Sequence, residues 1–147
     1  MKKFHFALDN LLSYKNQILD NELKILSDLN RQHQEAIGKL SGIQQNYEKC
    51  KAGLDQKLVK AASPQECQLY LYYIIDLNDQ TKMVQHEIEK ISMRIVEQIH
   101  QVREMKIETK TLESLRETKL DEYNKAVIKK TELEMDEFMA GASLRRA

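Results

Sequence analysis

From Leu8 to Leu54 the apolar residues keep a heptad beat, which commits the chain to a helix packed along another helix. One series runs Leu12, Leu19, Leu26, His33, Leu40, Tyr47, Leu54. The other runs Leu8, Lys15, Glu22, Leu29, Ala36, Ile43, Cys50. Alternating steps of four and three put both series on one seam of an α-helix. Leu11, Ile18, Leu23 and Ile25 widen that seam, which suggests contact with more than one partner helix over the N-terminal third.

The beat fades after Leu58, just before the only proline of the chain. In "VKAASPQE" Ser63 is placed as an N-cap, Pro64 at the first helical position and Glu66 at N3, a capping box. Pro64 also disfavours helical geometry at Ser63. A first helix over about 5–58, a turn at 59–63 and a second helix from 64 are therefore expected. The second beat is Ile74, Leu77, Thr81, Val84, Ile88, Ile91, Ile95, Gln98, Val102, Met105, Thr109, Leu112. Past Leu115 it shifts phase to Leu120, Tyr123, Val127 without a breaker. The helix is expected to reach about Phe138 and stop at Gly141, leaving a frayed tail over 139–147.

Two seams joined by a short turn predict an all-α antiparallel hairpin, a single coiled-coil domain over 1–147. The arms have unequal expected lengths, roughly 75 and 110 Å. About twenty C-terminal residues, with Val127, Leu133, Met135 and Phe138 on them, are then left without an intramolecular partner. Composition supports helices over a globule: 31% of residues are charged, with four glycines and no tryptophan. Disorder needs high net charge or lost periodicity, whereas 23 basic residues here balance 23 acidic ones. The same balance argues against nucleic-acid binding. The longest apolar run, "LYLYYII", is too short to span a bilayer. The N-terminus lacks a signal-peptide h-region, and two cysteines without such a signal suggest reduced thiols in the cytoplasm.

No catalytic constellation emerges from the residues. A phosphate loop is missing, and His5, His33, His86 and His100 lack the spacing of a helical metal site. His33 reads as a packed seam histidine. Cys50 and Cys67 read as small seam residues, with a disulfide or metal pair as the alternative. Pairs such as Glu132 and Asp136 are solvated surface charge with no pocket to tune them. An enzyme, a cofactor and a small-molecule substrate are all unexpected, because two helices enclose almost no concave interior.

The tyrosines stand apart. Tyr70, Tyr73 and Leu77, with Ile74, follow helical spacing on one face, and Tyr72 points elsewhere. They either close the tip as a small core under residues 59–66 or form an exposed docking patch.

Three segments together resemble one family. "FHFALDNLLSYKNQILD" is similar to the F-x-F-x-L-x-x-L-L opening of the FliJ-type proteins, soluble components of the flagellar type III export apparatus. "SPQECQLYLYYIIDLND" resembles the family's segment after the turn, with Tyr70, Tyr73 and Leu77 in its aromatic, aromatic and leucine places. "MDEFMAGASLRR" resembles its C-terminal helix and basic tail. The likeness spans the whole chain; Tyr73 replaces a usual Phe, and Gln80 and Val84 depart from the family's residue types.

The resemblance implies a non-enzymatic stalk, similar to the gamma subunit of rotary ATPases, that enters the hexameric export ATPase and promotes its assembly. It further implies contact with the cytoplasmic domain of the membrane export gate and with flagellar export chaperones. The expected location is cytoplasmic, peripheral at the inner membrane near the flagellar base. Carried over, Phe4, Phe6, Leu8, Val127, Leu133, Met135 and Phe138 would meet the ATPase ring. Tyr70, Tyr73, Leu77, Gln80 and Val84 would meet the gate, and the chain would act as a rigid lever between them. The alternatives are a prefoldin-like holding chaperone, disfavoured because no strand pattern separates the helices, and a generic coiled-coil tether that leaves the aromatics unexplained.

Overall fold

The computed structural model describes residues 2–146. Two helices make up nearly all of it: α1, Asp9–Val59, and α2, Pro64–Arg146. No strand occurs among the described residues, and only residues 60–63 separate the helices, so no β-hairpin of the prefoldin kind is inserted there.

The turn is built from two caps. α1 ends in a Schellman motif, in which Ala62 N–H donates to the Lys57 carbonyl at 3.0 Å and Ala61 N–H to the Leu58 carbonyl at 3.3 Å. Ala61 occupies the left-handed position with φ 54°. α2 opens as the sequence predicts: the Ser63 hydroxyl accepts from Glu66 N–H at 3.3 Å, and the Ser63 carbonyl accepts from Cys67 N–H at 3.2 Å. The Glu66 carboxylate faces Lys57 across the turn at 3.6 Å.

The chain forms two compact units. One is Glu22–Gln101, which contains the turn. The other comprises the described residues of Met1–Asn21 and Val102–Ala147. Within each, α1 and α2 run antiparallel. In the turn-containing unit Cys50 Sγ lies 3.7 Å from the Tyr70 carbonyl, and Gln98 Nε2 donates to the Glu22 carbonyl at 2.9 Å and to the Glu22 carboxylate. In the terminal unit Lys15 pairs with Glu108 at 2.9 Å and Asp9 with Arg116 at 3.3 Å.

The seam is the one the heptads predict. Leu12, Ala36, Cys50, Leu77, Ile91, Val102 and Thr109 are buried, and the other seam positions are half-buried except Leu8. The polar slots have physical reasons: Lys15 and Glu22 find α2 partners in their own units, and His33 is half-buried. Thr109 is the costly one, because its buried hydroxyl oxygen has no hydrogen-bond partner. The phase slip is also present, with Leu120, Tyr123 and Val127 half-buried.

Both outer helix ends differ from expectation. α1 starts at Asp9 instead of about residue 5, and residues 2–6 are irregular. Phe4 and Phe6 stand two apart, so an extended backbone points both to one side, whereas a helix would splay them. Asp9 N–H closes the turn on the Phe6 carbonyl at 3.1 Å and places an acid in the first helical turn. α2 runs through Gly141 to Arg146 instead of stopping near Phe138. Gly141 has no positive φ, no proline follows, and Arg145 and Arg146 complement the helix C-terminus.

Candidate partner-binding surfaces

The start of α2 in the turn-containing unit separates the predicted patch into two roles. Leu77 is only 2% exposed and belongs to the seam. Tyr70 is half-buried, and its ring lies over Gly53 of α1; a Cβ there would sit 2.9 Å from Tyr70 Cε1. Gly53 is the slot that lets this aromatic enter a two-helix seam. Tyr70, Ile74 and Leu77 therefore continue the heptad beat by one step towards the turn.

Tyr73 lies about 60° around the helix from that seam, at 100° per residue, and is 47% exposed. Leu69 flanks it, also exposed, and Gln80 follows on the same side. Gln80 donates to Asp76 at 2.8 Å, and with half-buried Val84 it edges a groove of about 450 Å³ against Gly42 and Ile43. Leu71, Tyr72 and Ile75 are exposed on the other flank, and Tyr72 accepts a hydrogen bond from Gln68 at 2.8 Å. The turn does not cover the aromatics, since Leu58 and Val59 are themselves exposed. Tyr70 is covered by Gly53 of α1 and not by residues 59–66.

The terminal unit carries the second surface. Phe6 is buried, Phe4 half-buried and Leu8 37% exposed. The Phe4 ring centroid is 5.5 Å from that of Tyr123, tilted by 54°, and the Arg116 guanidinium lies 5.6 Å from the Phe4 centroid. The Tyr123 hydroxyl donates to the Lys2 carbonyl at 2.6 Å. Beyond that point Val127 is half-buried and all of residues 131–140 are exposed. Ile128, Met135 and Phe138 follow a heptad-like spacing on this stretch and are exposed, as are Leu133 and Met139. Sequence reasoning missed Arg116, Tyr123 and Gly53; the only advance signal was that Tyr123 continues the shifted beat.

No chemistry-bearing constellation accompanies these surfaces. Cys50 is a buried free thiol, and Cys67 is free and half-buried. No group of three metal-capable side chains occurs among the described residues. No helix of the described chain is long and apolar enough to cross a membrane.

Paired antiparallel helices with large apolar side chains left outside their seam define an all-α helical hairpin. The chain belongs to the flagellar FliJ protein family, whose model matches residues 4–147. It is accordingly a component of the flagellar export apparatus. No curated protein and no solved structure matches it.

Proposed function

We propose that the chain is a non-enzymatic coupling factor of flagellar export, in which the terminal unit binds the hexameric export ATPase and promotes its assembly. The turn-containing unit meets the cytoplasmic domain of the export gate, with Tyr73, Gln80 and the rim at Val84 as its contact residues. Leu77 and Tyr70 support that face from the seam. Flagellar export chaperones share the apolar side chains on the other flank, and the chain works in the cytoplasm at the inner membrane.

The observation that carries this reading is the run of exposed large side chains on α2 past Tyr123. Ile128 is 58% exposed, Met135 62% and Phe138 74%. Repeated at heptad-like spacing on a helix, such residues are the signature of a surface that packs against another protein. The charged residues among them, Lys129 and Lys130 with Glu132, Glu134, Asp136 and Glu137, mix both signs with an acidic excess and let such a stripe stay soluble when free.

The test is ATP hydrolysis by the purified export ATPase with the full chain and with a chain ending at Val127. The full chain is expected to stimulate hydrolysis and the shortened one to lose most of that effect. Equal stimulation by both would place the ATPase contact elsewhere and sink the assignment.

A further inference from the structure

The N-terminal segment, residues 2–8, is assembled unlike the rest of the chain. It lies against α2 as an irregular segment followed by a turn. A helix has already satisfied its own backbone, so such a segment makes no hydrogen-bonded ladder with it and is held by side chains. The holding points are few: buried Phe6, the Phe4 ring between Tyr123 and Arg116, and the Tyr123 hydroxyl on the Lys2 carbonyl. Packing there is also incomplete. An open, largely apolar cavity of about 660 Å³ remains beside Phe4, Phe6 and Leu8, closed on the α2 side by Leu115, Lys119 and Tyr123.

What the segment covers matters as much as how it is held. Leu120, Tyr123 and Val127 continue the α2 seam, and exposed Ile128, Met135 and Phe138 follow directly. With residues 2–8 in place, Tyr123 is half-buried against Phe4 and Lys2, while Leu115 across the open cavity is 38% exposed. With them released, the exposed apolar stretch runs from Ile128 back through Tyr123 to Leu115.

We propose that residues 2–8 are a releasable strap that shields Tyr123 and the turn of α2 around it and must open before this unit engages the export ATPase in full. The inference rests on the reading that the terminal unit binds that ATPase. Phe4 and Phe6 are then intramolecular placeholders for the partner's apolar side chains. A strap closed nine-tenths of the time weakens the apparent affinity by about tenfold, because only the open fraction is competent.

Two variants separate release from lost contact. Tyr123→Phe removes the bond to Lys2 and keeps the ring, and Phe4→Ala with Phe6→Ala removes the anchors. Titration of the purified export ATPase is expected to show binding tightened about two- to threefold by the first and about five- to tenfold by the second. Weaker or unchanged binding by the double variant, with helicity intact, overturns the strap. A second readout needs no partner. In the free chain the Asp9 amide, bonded to the Phe6 carbonyl, is expected to exchange with solvent at least tenfold faster than the Leu19 amide. Equal, slow exchange overturns the proposal. If neither wild type nor variant binds the ATPase, the reading of the terminal unit fails, and the strap is decided by the exchange rates alone.

Discussion

Ala61 is the clearest local strain in the fold and gives the sharpest stability test. It holds φ 54° so that the Ala62 and Ala61 amides can close the Schellman motif that ends α1. Left-handed backbone costs an L-residue about 1–2 kcal/mol, and glycine avoids that cost. Glycine in turn loses about 0.4–1 kcal/mol through the greater freedom of its unfolded chain. The difference predicts that Ala61→Gly stabilises the turn-containing unit by about 0.7 kcal/mol. Urea unfolding followed by circular dichroism is the assay, with the slope against urea expected to stay constant. Ala61→Val supplies the opposite sign, because a β-branched side chain tolerates this backbone worse than alanine. A destabilised glycine variant, or a valine variant as stable as wild type, would refute a left-handed Ala61 and with it the double-capped turn.

Other positions follow from burial and contact. Thr109→Val is expected to raise stability by about 1 kcal/mol, because it replaces a buried hydroxyl lacking a partner with a methyl of the same shape; an unfolding curve shifted the other way would show that the hydroxyl is satisfied. Leu77→Ala is expected to cost about 2–4 kcal/mol, whereas Tyr73→Ala leaves stability within about 0.5 kcal/mol and weakens gate binding. Equal losses of stability from the two would erase the distinction between seam and flank. Gly53→Leu is expected to cost about 1–3 kcal/mol and to displace the Tyr70 ring, because the slot is already at contact distance; unchanged Tyr70 chemical shifts would contradict the packing.

Which parts of this fold were legible in the sequence depended on how many residues carried each signal. The seam was legible because some twenty residues repeat one period and the polar exceptions are isolated. The start of α2 was equally readable, since Ser63, Pro64 and Glu66 each point to the same cap. Leu77 was harder, because spacings of three, four and seven describe a docking face and a seam alike. Leu77 already stood in the seam beat, and counting back four from Ile74 would have added Tyr70 to it and left Tyr73 as the outward residue. The start of α1 was misjudged because Phe4 and Phe6 signal an extended segment by a single alternation, too short to outweigh the helix after it. Ala61 gave no signal at all: its left-handed backbone is set by the two helices it joins, and glycine is the residue such a position normally advertises. Gly141 erred the other way, since a glycine near the end of a helix stops it only when its backbone turns left-handed.

In the proposed function the two units serve different partners, and photo-crosslinking reads those partners out position by position. A photoreactive phenylalanine analogue at Phe138 and, separately, at Tyr73 would be irradiated in cells assembling flagella, and the adducts identified by mass. Both positions are exposed, so neither replacement disturbs the seam. Export ATPase is expected from Phe138 and the export gate domain from Tyr73. The same partner captured from both positions, or the two partners exchanged, would contradict the proposal.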